Sequence, residues 1–222
     1  MIMQQPFPIS CVDARRIRAD LSASIVLAIW QNVNVSLPAN GSTKGALLVA
    51  APLLDEPTFH RTVIYMLEHT DDGALGVVLN RPTDEENLPG LDAWMYELSH
   101  PQVVFDGGPV QDNTLIAVAA LNAETDSAAF APLDAGLGTV DLAQLPAEIA
   151  EELQNLRVFR GYAGWSAGQL EDELEEGSWL VVASALDDLF TANPLGLWRN
   201  VLRRGGGRRA LLADAPDDLS WN

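Results

Sequence analysis

Several common kinds of chemistry are excluded by what the chain has little of. It carries one cysteine, Cys11, so no intrachain disulfide can form, and the composition suits a reducing, cytoplasmic setting. Basic residues are scarce: 13 Lys and Arg stand against 31 Asp and Glu, a formal net charge of −18. Such an excess repels nucleic acid and anionic membranes, so neither is an expected direct partner. No apolar run approaches the roughly 20 residues that span a bilayer. Neither phosphate-cradling glycine pattern, G-x-x-x-x-G-K-[ST] nor G-x-G-x-x-G, occurs. Only three histidines are present, His60, His69 and His100, and none belongs to an H-E-x-x-H pair. No cofactor or metal is therefore expected. What remains is 222 residues, 48% hydrophobic and 20% charged, enough for a sizeable core in one or two domains.

The stretch 160–177 organises the rest. An apolar run, Leu156-Arg157-Val158-Phe159, reads as a strand before it, and the Leu170/Leu174 spacing reads as a helix after it. The intervening glycines are expected at a strand-to-helix turn. Gly164-Trp165-Ser166-Ala167-Gly168 fits G-x-S-x-G, the nucleophile elbow of α/β-hydrolases. The same residues also fit a helix start: Ser166 as N-cap and Gln169 at N3 form a capping box, Trp165 and Leu170 a hydrophobic staple, and Gly177 a left-handed stop. All three histidines precede Ser166, against the Ser, acid, His order of those hydrolases. Glu171, Asp172 and Glu173 also oppose any anion at the helix start. The capping role is therefore expected, with a serine hydrolase as the alternative.

Four blocks carry a family resemblance: 45–50 with Pro52 and Phe59; 73–82, ending in Asn80-Arg81-Pro82; Gly107-Gly108-Pro109-Val110; and Gly161-Tyr162-Ala163-Gly164-Trp165 followed by Gly168-Gln169-Leu170-Glu171 and Trp179. In this order they resemble the bacterial AlgH/YqgE family, over roughly residues 45–198. The resemblance implies a single compact α+β (mixed α/β) domain, with a bent, bifurcated sheet that includes a small closed barrel surrounded by helices. It implies no established biochemical activity, although one branch carries the label of transcriptional regulator.

Residues 1–43 read as a partly ordered extension, with a helix over 13–31 and a linker at 38–42. Residues 46–51, 62–67 and 74–79 read as strands, the last two joined in a hairpin by Asp71-Asp72-Gly73. The cluster Glu68, His69, Asp71, Asp72 reads as that hairpin's tip, not a metal site. An acidic loop at 85–89 and an amphipathic helix through Leu91, Trp94, Met95 and Leu98 follow. Val103-Val104-Phe105 is expected as a strand, 122–138 as loop, and Leu142, Leu145, Ile149 and Leu153 as one helical face broken at Pro146. A strand at 179–183 precedes one or two helices around Pro194, with Trp198 and Leu202 inward. Residues 205–222 read as a Gly/Arg and acidic tail. Arg199, Arg203, Arg204, Arg208 and Arg209 place five of the 13 basic residues in eleven positions, as expected at a helix C-terminus, with contact to an acidic surface as the alternative.

No complete catalytic constellation emerges, so the expected function is non-catalytic binding or regulation through a protein partner or a small anionic ligand. Candidate contact residues are Asn80, Arg81, Gly107, Gly108, Tyr162, Trp165 and Gln169, while no catalytic residue is assigned. Arg81 matters because only Arg61, Arg81, Arg157 and Arg160 are basic between Gly45 and Trp198. Structural readings compete at each: an ion pair for Arg81, and close backbone approach for the paired glycines.

Overall fold

Apolar, β-branched runs separated by tight turns make this chain chiefly a sheet. The computed structural model describes residues 23–31, 33, 41–54, 56–85, 91–123, 125–134 and 136–216. Among the described residues nine strands run in chain order as β1 (Ala46–Ala50), β2 (Val63–Thr70), β3 (Gly73–Val78), β4 (Phe105–Asp106), β5 (Val110–Leu121), β6 (Phe130–Asp134), β7 (Leu137–Val140), β8 (Leu153–Ser166) and β9 (Trp179–Ala183). The helices are α1 (Ala23–Trp30), α2 (Gln169–Glu175), α3 (Leu186–Leu189), α4 (Leu197–Arg204) and α5 (Gly207–Leu212).

The strands form one sheet in the order β6-β7-β5-β8-β3-β2-β1-β9, with β4 alongside β8. Every pairing is antiparallel except β4 with β8. The long strand β8 is where the sheet divides: residues 153–162 pair with β5, whereas Ala163–Ser166 pair with β3. The path ends at β6 and β9, which do not pair. The sheet is therefore a curled, open half-barrel, and no described strand closes the small barrel that the resemblance implied.

Alternation along the strands sends successive side chains to opposite faces. Leu47, Val49, Val63, Tyr65, Val77 and Leu79 form one buried face with Trp198, Val201, Leu202 and Leu212 of α4 and α5. Val26 and Trp30 of α1 join that cluster, and the Trp30 indole donates to the Gly177 carbonyl at 2.7 Å. Leu48, Ala50, Ile64, Met66, Val78 and Trp165 form the other face, under Leu170 and Leu174 of α2. A third cluster beneath β5, β7 and β8 gathers Leu91, Trp94, Leu98, Val104, Ile149 and Leu156. Arg157, only 1% exposed, points into the interior. Its guanidinium donates to the carbonyls of Leu189 (3.0 Å), His100 (2.7 Å) and Thr191 (3.1 Å), and lies 4.3 Å from the Phe105 ring centre. Burial pushes its pKa below the ordinary arginine range to about 10, so the cation persists at neutral pH.

Several expectations change. The pattern at 91–98 yields turns and a 3-10 turn at Met95–Glu97 in place of a helix. Leu91, Trp94 and Leu98 are buried nonetheless, with the Trp94 indole anchored on the Leu142 carbonyl at 3.1 Å. Three-residue spacing serves successive turns as well as a helix. The expected loop at 122–138 contains β6 and the start of β7, because pairing of β7 with β5, and of β6 with β7, supplies what weak local propensity does not. The expected helical face at 142–153 reduces to a 3-10 turn at Pro146–Glu148: Leu145 is 66% exposed and Leu153 already opens β8.

Three of the five arginines near the C-terminus bond within the molecule. Arg204 reaches Asp188 at 2.6 Å and Arg203 reaches Asp214 at 3.0 Å, while Arg199 donates to the Ala213 carbonyl at 2.5 Å. The hydrogen bond to Asp188 holds the Arg204 pKa above its ordinary value. Gly205 and Gly206 join α4 to α5, and Leu212, Ala213 and Ala215 are buried. Residues 1–22, the linker at 38–40, the acidic loop from 86 to 89 and the tail from 217 lie outside the described residues.

Candidate functional site

Of the central glycines Gly161, Gly164 and Gly168, only Gly168 lies at the strand-to-helix turn. Gly161 and Gly164 lie inside β8, which continues to Ser166, and the turn falls at Ala167 and Gly168. Gly168, at φ +78°, occupies the N-cap of α2. Ser166 is thus not the cap. Gln169 does reach back as a capping box requires, its Oε1 accepting the Ser166 N–H at 3.1 Å, but the Ser166 hydroxyl donates to that same oxygen at 3.1 Å. Trp165 and Leu170 share one buried cluster, as a staple would. Gly177, at φ +79°, ends the helix: its N–H bonds the Leu174 carbonyl at 3.1 Å and the Ser178 N–H bonds Glu173 at 2.9 Å, a Schellman closure.

Beneath this corner one carboxylate gathers three donors. Glu173 Oε2 accepts the indole N–H of Trp165 at 2.8 Å and of Trp179 at 2.7 Å, while Oε1 accepts the Gln169 side-chain amide at 3.0 Å. The two indoles meet edge to face at 6.0 Å. Trp165 and Gln169 are therefore tied into the packing of α2 against the sheet.

Neither Ser166 nor a histidine forms part of a nucleophile–base pair. Nδ1 of the buried His69 accepts the Thr43 backbone N–H at 3.0 Å, so Nδ1 carries no proton; Nε2 carries it and donates to Glu171 at 2.6 Å. Both ring nitrogens are occupied. Among the described residues no group of three or more His, Cys, Asp or Glu could hold a metal ion.

Asn80 and Arg81 sit where β3 ends. Asn80 accepts the Val63 N–H at 2.9 Å and donates to the Arg61 carbonyl at 2.8 Å, extending the β2–β3 ladder. Arg81 donates to the Pro57 carbonyl at 3.0 Å, and its own carbonyl accepts the Asp106 N–H at 2.9 Å. Gly107 is wedged between strands: its N–H bonds Arg160 at 2.8 Å and its carbonyl accepts Val78 N–H at 3.0 Å. A Cβ on Gly107 would lie 2.3 Å from the Gly161 carbonyl oxygen, and one on Gly108 (φ +142°) would lie 2.3 Å from the Tyr162 carbonyl carbon. The chain thus crosses β8 at 107–110, from the β3 side to the β5 side, by backbone-to-backbone contact.

Just past that crossing lies an open hollow of about 510 Å³. Its walls are Glu68 and Thr70 of β2, Asp72 and Gly73 of the hairpin, Leu75 of β3, Val110 of β5, and Tyr162, Gly164 and Ser166 of β8, with Ala74 and Trp165 alongside. Of the seven sequence-derived candidates, Tyr162 and Trp165 line it. Gly107 and Gly108 support it through the crossing, Gln169 touches it through Ser166, and Asn80 and Arg81 are not among its walls. Sequence reasoning missed Glu68, Leu75, Val110 and Gly164 as neighbours. The signal lay in reading a strand through the glycines, since Tyr162, Gly164 and Ser166 then share a face opposite Leu75 and Gly73.

A curled, glycine-crossed half-barrel sheet with an open hollow beside the crossing defines the class of protein. The chain belongs to the AlgH-like family (DUF179), whose model matches residues 47–210. It is 45% identical over 190 residues to a UPF0301 protein of Thermobifida fusca, covering 82% of this chain and 96% of that one. A UPF0301 protein of Streptomyces coelicolor is 44% identical over 185 residues, with the same coverage of 82% and 96%. A crystal structure of a Corynebacterium diphtheriae protein superposes with a TM-score of 0.75 at 28% identity, covering 83% of this chain and 96% of that chain. The solution structure of the AlgH protein from Pseudomonas aeruginosa gives 0.58 at 28% identity, covering 83% and 99%. No helix among the described residues is long and apolar enough to cross a membrane.

Proposed function

We propose that this AlgH-like protein is a non-catalytic, cytoplasmic binding protein whose ligand surface is the hollow at the division of the sheet. The observation carrying this reading is the combination of an open space of about 510 Å³ with polar groups at its walls and no base on its serine. The Ser166 hydroxyl spends its proton on Gln169, so nothing there activates it as a nucleophile. Tyr162, Trp165, Leu75 and Val110 supply apolar contact, while Asn80, Arg81, Gly107, Gly108 and Gln169 maintain the backbone around them.

The charge of the lining revises the expected ligand. Among the described walls the charged side chains are Asp72 and Glu68, the latter paired with Lys44 at 2.8 Å, so the charge that Asp72 leaves uncompensated favours a neutral or cationic ligand over an anionic one. Ser166→Ala separates binding from hydrolysis. The substitution is expected to preserve folding, seen by far-UV circular dichroism, and to leave any turnover of a p-nitrophenyl ester panel unchanged. Loss of turnover in a folded Ser166→Ala protein would overturn the reading in favour of a hydrolase.

A further inference from the structure

We infer that the hollow takes an extended, lysine- or arginine-bearing polypeptide segment, which pairs through its backbone with the free edge of β8 at Gly164. This inference rests on the binding reading above. It begins with the phase of the ladder. Val78 N–H bonds Gly107 on the β8 side, whereas Leu79 N–H bonds Val63 on the β2 side. Residues 74 and 76 therefore point their amides towards β8, where they register with Trp165 and Ala163. The amide and carbonyl of Gly164, between those two, project from the opposite edge.

That opposite edge is the one β5 covers, and the cover stops at the Val110–Tyr162 pair. Gly164 is exposed, and outside its β3–β8 ladder no bond from a described residue reaches its backbone. Two residues further on, the Ser166 amide is already taken by Gln169. The open edge is consequently short and centred on a single residue. A chain laid there in extended form makes the N–H and C=O bonds that continue β5, and its alternate side chains enter the hollow.

The partner's charge follows from the lining. Such side chains meet Asp72 on its exposed turn and Glu68, which is itself paired with Lys44 at 2.8 Å, on a chain whose formal charge is −18. The Tyr162 ring leans over Gly164, its Cε2 lying 3.2 Å from where a Cβ would stand, and offers an aromatic face to an ammonium or guanidinium group. An acidic segment meets the Asp72 carboxylate as like charge.

The test uses the full chain and a fluorescein-labelled ten-residue peptide alternating valine and lysine, read by fluorescence anisotropy. An alternating valine–glutamate peptide and a valine–lysine peptide N-methylated at its central residues serve as comparisons. The expected result is saturable binding of the basic peptide, weakened at least tenfold by Asp72→Lys, by Gly164→Val and by N-methylation, with no binding of the acidic peptide. The Gly164→Val protein is checked for folding by circular dichroism; Asp72→Lys, on an exposed turn, supplies an independent arm. Basic-peptide binding that ignores both N-methylation and Gly164→Val would overturn the edge-pairing inference while leaving the hollow as a binding site. Equal or tighter binding of the acidic peptide would overturn the assigned charge. Failure of every peptide would overturn the partner class, and the binding reading would then stand or fall on a small-molecule thermal-shift screen with Leu75→Arg as the blocked control.

Discussion

Replacing Glu173 by alanine is expected to destabilise the protein far more than an ordinary substitution on a partly exposed helix. Its carboxylate accepts from Trp165 at 2.8 Å, Trp179 at 2.7 Å and Gln169 at 3.0 Å. Trp179 is 1% exposed and Trp165 7%, so water cannot readily replace the lost acceptor at either indole. A hydrogen bond to a charged group contributes roughly 1.5–3 kcal/mol, and a buried donor left alone costs about 1–3 kcal/mol. Two such indoles, with a few tenths regained from alanine's helix propensity, bring the expected loss to roughly 3–5 kcal/mol. That is a large share of the roughly 5–15 kcal/mol that holds a typical domain together. Glu173→Gln keeps an oxygen for both indoles and loses only the charge, so its expected cost is about 1–2 kcal/mol. Urea unfolding followed by tryptophan emission and by far-UV circular dichroism measures both, provided the two probes coincide. An alanine variant within about 0.5 kcal/mol of the parent, the ordinary range of surface substitutions, would refute the reasoning. So would a glutamine variant as unstable as the alanine one.

Gly108→Ala is expected to cost about 3 kcal/mol or more, since a Cβ 2.3 Å from the Tyr162 backbone must displace the crossing chain at a φ of +142°. A melting temperature unchanged from the parent would show that the crossing is slack. Trp30→Ala is expected to cost roughly 3–5 kcal/mol although Trp30 precedes the family match, because it removes a buried side chain and its bond to Gly177. Denaturant titration checks this, and a loss under about 1 kcal/mol, well below large-to-small core costs, would detach α1 from the folded unit.

What the sequence made legible follows from how strongly each segment specifies itself. β1, β2, β3 and β9 are short apolar runs bounded by proline, glycine or aspartate, and both their period and their ends are visible. β6 and β7 are not: Phe130-Ala131-Pro132-Leu133-Asp134 has a proline and little β-branching, and becomes a strand only because β7 lies beside β5. The candidate site was misread for a related reason. Gly161, Gly164 and Gly168 are equivalent punctuation in a sequence, yet the first two lie within a strand and only the third turns the chain. Gly161 holds a φ of +70° inside β8 because another segment presses on it, and nothing local announces that segment.

The position of the hollow then has one physical cause. For residues 107–110 to cross β8, two backbones must approach more closely than any Cβ permits, hence Gly107 and Gly108 on one and Gly161 on the other. The crossing delivers β5 to the far edge of β8 at Val110, so β5 can cover that edge only as far as Tyr162. β3, whose hairpin with β2 turns at Asp71 and Asp72, continues on the near edge to Ser166. The four residues from Ala163 to Ser166 are accordingly covered on one edge only, and the acidic hairpin tip forms the rim of the uncovered place. The glycine motifs and the hollow are two results of the same crossing, which is why the motifs point to the site while contributing backbone, not reactive side chains, to it.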